Sequence, residues 1–351
     1  MPIAPTLFVT RKWPPAVGGM ETWSVRMADE LAKLGPVEVV ALPGRADGRA
    51  PAAWRLLLFP FTVLARFLGA RPRPKTVHLG DMALWPLGLL LGMGRKMVIS
   101  AHGTDVAYHR RGGFRGTLYG AYLRLGAKLL HNARVVANSA ATAAAARETG
   151  WRTAAVIPLA TDLQASAAST GHDGSILFAG RLVARKGCGW FVREVLPLLP
   201  EGTRLRLAGT PWDAGEAWVL GDRRVDYLGA LPPAELARAY ANAMCVVVPN
   251  IEPENGEFEG FGLVACEAAA CGAVVIAART GGLVEAVREG ETGFLLPSGD
   301  AAAWAGEIRA VAAWSAERRA AFTERSARVA RSHYAWPRVA AATAQLYGAA
   351  A

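Results

Sequence analysis

The chain has 351 residues, 52% of them hydrophobic and 19% charged. That is more than one hydrophobic core usually organises, so two domains are expected, and the composition excludes a disordered chain. The formal net charge of +10 is one-sided: residues 1–160 hold 21 Lys/Arg against 8 Asp/Glu, and the remainder hold 18 against 21. No helix-turn-helix, zinc-finger spacing or RNP-like aromatic motif accompanies this basicity, which argues against nucleic acid. An anionic membrane surface or a phosphorylated substrate suits a basic half equally well.

The N-terminus, MPIAPTLFVTRKW, lacks the pattern of a secretory signal, so a cytoplasmic protein is expected. Short apolar runs ended by Gly, Pro, Asp or Asn then alternate with Ala-rich segments of helical period, the signature of a parallel α/β sheet. Strands are expected at Thr6–Thr10, Val37–Ala41, Thr76–Leu79, Lys96–Ala101, Arg134–Asn138 and Ala154–Ile157, with helices such as Glu21–Leu34 and Ala140–Glu148 between them. Gly18 and Gly19 follow the first strand and His102 the fourth. From Trp54, apolar residues recur at helical spacing beside Arg55, Arg66, Arg71, Arg73 and Lys75, and a second segment interleaves Tyr108, Phe114, Tyr119 and Tyr122 with Arg and Lys. Both suit an interfacial helix on anionic lipid, and the first equally suits a helix packed on the sheet with a basic outer edge. The longest apolar runs do not span a bilayer: Trp54–Gly69 is interrupted by Arg55, Pro60 and Arg66, and Ala83–Gly94 has 12 residues where about 20 are needed.

Small polar residues and Gly accumulate from Thr161 to Gly174, dividing the chain into a basic domain 1–162, a linker 163–174, a second domain 175–334 and a terminal helix 335–351 that Pro337 kinks or begins. Strands of the second domain are expected at Ser175–Ala179, Arg204–Ala208, Val225–Leu228, Cys245–Pro249, Val274–Ala277 and Gly293–Leu296. Two doubly wound α/β domains facing a cleft follow, with ligands beyond the carboxyl ends of the strands. The four cysteines stand singly in apolar or Gly-rich surroundings and are expected to be buried thiols.

Functional residue types concentrate from Pro249 to Val287. A strand, an acidic Gly-containing loop and a helix from Leu263 to Ala270 build an anion site, because first-turn N–H groups and the helix dipole face incoming phosphate. Glu259 and Glu267, eight residues apart, would span roughly 12 Å along a helix and could accept hydroxyls at both ends of a sugar–diphosphate–ribose ligand. Glu254, Glu257 and Glu259 also fit a solvated acidic loop, and Glu267 an exposed helix residue. Upstream, in AGRLVARKG, Arg181 and Lys186 follow a strand end, where their cations could neutralise a diphosphate or simply coat a surface loop.

EGFGLVACE with its flanks, FAGRLVARKG, PPAVGGMET and AHGTDV occur together in one order from Pro14 to about Gly293. In this combination the chain resembles glycosyltransferase family 4, retaining enzymes of the GT-B fold, including lipid- or polysaccharide-directed members such as the phosphatidylinositol mannosyltransferases. The resemblance implies that Glu259 contacts donor-sugar hydroxyls, that Glu267 contacts the ribose and that Arg181 and Lys186 hold the leaving diphosphate. It also implies that Gly18, Gly19, Gly262, Leu263, Gly281 and Gly282 line the donor site, and that His102 positions the transferred sugar. No resident cofactor or metal is implied, since Arg and Lys take the metal's place.

The implied reaction moves a hexose from a nucleotide sugar, GDP-mannose slightly ahead of a UDP-hexose, to a lipid-linked or polysaccharide acceptor. A basic domain on an anionic membrane surface agrees with such an acceptor. A nucleotide-sugar epimerase or hydrolase of the same fold, acting without an acceptor, is the alternative.

Overall fold

The structure, a computed structural model, describes residues 2–348 apart from 17, 46, 48–50, 166–170 and 253–255. Glu254 and the middle of the expected linker therefore lie outside the described residues. The chain forms two compact units, one of Met1–Leu159 with Trp336–Ala351, the other of Ala160–Ala335. Their division falls just before the expected linker, where the Thr161 N–H donates to the Tyr334 carbonyl at 3.0 Å and ties the first turn of the second unit to its last helix.

The first unit is a parallel sheet of β1 (Thr6–Trp13), β2 (Val37–Pro43), β3 (Thr76–Leu79), β4 (Lys96–Ala101), β5 (Arg134–Ala137) and β6 (Thr153–Val156), in the order β2-β1-β3-β4-β5-β6. Its central strands are apolar runs because helices cover both faces: Leu7, Phe8, Val9, Val77, Leu79, Val98 and Ile99 are all inaccessible to solvent. β1 continues past Thr10 because Trp13 still pairs with Pro43 after an irregularity. Crossover helices include Gly19–Ala32, Ala53–Gly69, Trp85–Leu91, Gly113–Leu129 and Ala140–Glu148. The last starts where the Ser139 hydroxyl accepts the Thr142 N–H, a helix-capping bond that satisfies an otherwise unpaired donor.

The terminal helix, Trp336–Tyr347, belongs to this unit, packing on Gly19–Ala32 and β4. Pro337 stands in its first turn and begins it rather than kinking it, since the missing N–H has no intrahelical partner to lose there. A buried polar chain fastens this helix: the Tyr347 hydroxyl meets His78 Nδ1 at 2.6 Å and the Ser100 hydroxyl meets Nε2 at 2.8 Å. Burial, with a lesser contribution from His102, pushes the His78 pKa from 6.5 to about 3. The unfolded chain therefore takes up a proton that the folded chain refuses. The neutral ring's contribution is complete above pH 6.5 and falls as pH drops toward 3, by up to about 1.4 kcal/mol per pH unit. Tyr347→Phe should cost a further ~1–2 kcal/mol by leaving Nδ1 unpaired, measured as a shift in the urea midpoint at neutral pH.

The second unit repeats the architecture with β7 (Ile176–Ala179), β8 (Leu205–Ala208), β9 (Val225–Gly229), β10 (Cys245–Val248), β11 (Val275–Ala278) and β12 (Gly293–Leu296), ordered β12-β11-β10-β7-β8-β9. Helices include Pro233–Asn242, Leu263–Ala270, Ala301–Ala312 and Ala316–His333. All four cysteines are free and buried. In each sheet successive connections run outward in opposite directions from one point, between β1 and β3 and between β7 and β10. The loops leaving those strands part there and open a crevice at the carboxyl edge.

Candidate functional site

The β7/β10 switch point brings together two loops that are far apart in sequence. After β7, a tight turn at Ala184–Lys186 ends at Gly187, in the left-handed conformation at φ 69°. A Cβ there would lie 1.8 Å from the Pro249 carbonyl oxygen, so only glycine lets this turn touch the end of β10. The Ile251 N–H donates to the Arg185 carbonyl at 3.1 Å and completes the join.

Three donors then converge on one oxygen of Glu259. Lys186 Nζ is 2.6 Å, Arg185 Nη1 2.7 Å and Asn250 Nδ2 3.2 Å from its Oε2. Arg185 Nε also stands 3.9 Å from Glu257. Burial would raise the Glu259 pKa, but Lys186 and Arg185 outweigh it and hold the carboxyl at about 2, so it is an anion at every physiological pH. Glu267 behaves oppositely. Burial raises its pKa, opposed in part by a 3.5 Å hydrogen bond from the Tyr240 hydroxyl and by the Lys186 charge. The paired acids thus hold their protons differently while sharing Lys186 as a neighbour.

Glu259 lies outside the helix, which starts at Leu263 after Gly262 in the left-handed region at φ 95°. The eight-residue spacing is therefore a loop followed by one helical turn rather than a continuous helical span. Gly281 and Gly282 brace this loop. The Gly282 N–H donates to the Glu259 carbonyl at 2.8 Å, and a Cβ on Gly282 would lie 2.3 Å from the Gly260 carbonyl. Leu263 opens the helix with no side-chain cap; the Ala265 N–H donates to the Gly262 carbonyl at 3.0 Å, and the N–H groups before it have no carbonyl within the helix to bond.

Arg181 stands apart from this cluster. It is exposed, its guanidinium 5.1 Å from the Trp212 ring. From sequence, Lys186 is assigned to a diphosphate and Glu259 to a sugar; the structure brings the two into an ion pair and adds Arg185 and Asn250, which the sequence does not single out. Both lie inside the motifs that point to the site, but loop spacing does not tell which of two neighbouring cations turns toward the acid.

In the first unit, Gly18 immediately precedes the Gly19–Ala32 helix, and a Cβ on it would lie 2.5 Å from Glu21 Oε2. His102 Nε2–H donates to the Gly80 carbonyl at 3.0 Å, and the ring packs edgewise on Trp23. Asp105 accepts the backbone N–H groups of His102 at 2.8 Å and Met82 at 3.1 Å, joining the loops after β3 and β4. An Arg11–Asp81 ion pair at 2.9 Å, invisible to sequence spacing, lies at the same edge. Gly18, Gly19, His102 and Asp105 thus gather around the carboxyl ends of β1, β3 and β4.

Two doubly wound units, each with polar and charged side chains gathered at its switch point, place the chain among the α/β proteins built from two parallel sheets. Residues 17–165 match the family described as Glycosyltransferase Family 4, and residues 173–313 match Glycosyl transferases group 1. With both units matched, the chain belongs to the family-4 glycosyltransferases. It is 38% identical over 147 residues to D-inositol 3-phosphate glycosyltransferase of Corynebacterium efficiens, covering 38% of this chain and 33% of that protein. It is 34% identical over 190 residues to glycogen synthase of Mycobacterium tuberculosis, covering 50% and 42%. The matches thus span a third to two-fifths of those relatives' length. Among solved structures, Anabaena HepE in complex with UDP and glucose superposes with TM-score 0.69 at 20% identity, covering 97% of this chain and 98% of that one. Sucrose-phosphate synthase from Thermosynechococcus elongatus superposes with TM-score 0.73 at 22% identity, covering 98% of both. These likenesses show the GT-B fold.

Proposed function

We propose that the chain is a retaining hexosyltransferase that takes its sugar from a nucleoside diphosphate donor held by the second unit. The observation that carries this reading is the convergence of Lys186 and Arg185 on Glu259 beside the uncapped start of the Leu263–Ala270 helix. Two cations against one carboxylate, together with helix N–H groups, suit a diphosphate, while an acid held ionised at about pKa 2 can accept hydroxyl hydrogen bonds but cannot supply a proton. The three donors share Oε2, which leaves Oε1 for a sugar hydroxyl. Glu267 at the far end of the helical turn is assigned to the ribose.

In the proposed reaction the bond from the anomeric carbon to the diphosphate breaks and a bond to the acceptor oxygen forms on the same face. The acceptor's proton passes to the departing phosphate. Lys186 and Arg181 stabilise the negative charge that grows on that leaving group, without a metal ion. His102 positions the sugar, and the glycines at 18, 19, 262, 281 and 282 let backbone approach the ligand. The acceptor is assigned to the first unit, as a lipid-linked or other glycolipid saccharide of envelope assembly, on the strength of that unit's basic charge.

The donor motif leans toward GDP-mannose, whereas HepE in complex with UDP-glucose supports a UDP-hexose. A donor screen following UDP, GDP or ADP release decides between them. Release that requires a saccharide acceptor is the expected result. Conversion or hydrolysis of the donor at the same rate with no acceptor would instead establish an epimerase or hydrolase.

A further inference from the structure

One surface of the first unit leaves much apolar area uncovered. The Ala53–Gly69 helix is apolar on nearly every side, a pattern usual for a buried helix, yet only Phe59 and Val63 are buried. Trp54, Leu57, Phe61 and Leu68 are each at least 60% exposed. This helix packs on β2 and on the Trp85–Leu91 helix, which packs in turn on Gly113–Leu129. Exposed Leu90 and Met93 at the end of the middle helix, and Phe114 and Leu118 on the third, extend the apolar area. Patches of this extent mark a surface that something covers.

Charge identifies what covers it. The only carboxylates between Asp47 and Glu148 are Asp81 and Asp105, and both are buried. Arg55, Arg71, Arg73 and Lys75 accompany the first helix, and Arg115, Arg124 and Lys128 the third, all exposed. A second copy in an isologous contact would set these cations against one another. A nucleic acid would supply phosphate but no apolar phase for Leu57 and Phe61. An anionic bilayer supplies both, headgroup charge for Arg and Lys and hydrocarbon for the apolar side chains. No helix among the described residues is long and apolar enough to cross a membrane, so such contact would be interfacial. Arg55 stacking over the Trp54 ring at 5.4 Å places an aromatic and a cation together, as side chains at the headgroup level are placed.

We infer that the three-helix face of Ala53–Gly69, Trp85–Leu91 and Gly113–Leu129 docks on an anionic phospholipid surface, with the first helix lying in the plane of the interface. It rests on no step of the transfer reading, and its test needs no substrate. The full chain is sedimented with phosphatidylcholine vesicles, with and without phosphatidylglycerol. Retention by the anionic vesicles that weakens with salt is expected, together with a blue shift in tryptophan fluorescence. The double variant Leu57→Ser/Phe61→Ser should lower the partition coefficient about tenfold, and Arg115→Glu/Lys128→Glu by a similar factor. All four positions are solvent-facing and distant from the donor loops in sequence, so the variants should fold as the parent does, by circular dichroism. Indifference to anionic vesicles at low salt, or equal retention of both variants, would overturn the inference. So would a self-associated dimer or a duplex-DNA complex that the Leu57→Ser/Phe61→Ser variant alone abolishes.

Discussion

Replacing Lys186 by Ala is expected to lower kcat/KM for the donor by about 10²–10³-fold, the loss when one preorganised stabilising group is removed from a transition state. Glu259→Gln should fall in the same range, because the amide keeps the shape but no longer attracts Lys186 and Arg185. Neither change should unfold the chain. In Lys186→Ala, Arg185 at 2.7 Å and Asn250 at 3.2 Å still satisfy the Glu259 carboxylate. Steady-state kinetics paired with thermal unfolding separates the two effects, and near-parental kcat/KM in either variant would remove that residue from its role. The cluster also has an acid signature. Because the folded pKa of Glu259 is depressed to about 2, its stabilising contribution is complete above the ordinary carboxylate range. It is lost as pH falls from about 4.5 toward 2. Lys186→Ala should shrink that acid-dependent loss, since the attraction depressing the pKa is weaker.

Gly187→Ala is expected to be the most destabilising single-methyl change at the site, at about 3–5 kcal/mol. Two separate penalties combine. The residue sits at φ 69°, and the added carbon would meet the Pro249 carbonyl at 1.8 Å. Relief requires the loop carrying Arg185 and Lys186 to lift away from the end of β10, which also withdraws both cations from Glu259. A fall of roughly 10 °C in melting temperature should therefore accompany weaker nucleoside diphosphate binding. Gly306→Ala is the control. No atom outside its own helix lies within 4 Å of a Cβ there, and it stands in the Ala301–Ala312 helix, so Ala should be neutral or slightly stabilising. Equal melting temperatures for the two variants would show that the close approach is not rigid.

The strands were legible because water treats them simply. Thr76–Leu79 and Gly293–Leu296 have the bounds the short runs suggest, since residues that end an apolar run also tend to end a parallel strand. Ends were less legible where pairing outlasts hydrophobicity, as in β1, whose Arg11 and Lys12 continue the strand to Trp13. Within the site, Lys186 and Glu259 could be named from their places in the loops, and Gly262 and Gly282 only through the family resemblance. Arg185 could not be preferred to Arg181, because the choice depends on a one-turn bend and a left-handed glycine that turn one side chain inward and leave the other over Trp212. The Ala53–Gly69 helix read equally well as a packed or an interfacial helix; the structure turns Phe59 and Val63 inward and leaves Trp54, Leu57, Phe61 and Leu68 exposed, a division its nearly continuous apolar pattern does not show.

What the sequence by itself determined is local: which segments shed water on both faces, which glycines relieve the backbone, and where opposite charges accumulate along the chain. The tertiary structure decided which loops become neighbours. Placing β7 beside β10 joins residues 185 and 186 to residues 250 and 259. That adjacency is a property of strand order in the sheet, and strand order is set by the packing of all the helices together, which no local periodicity records.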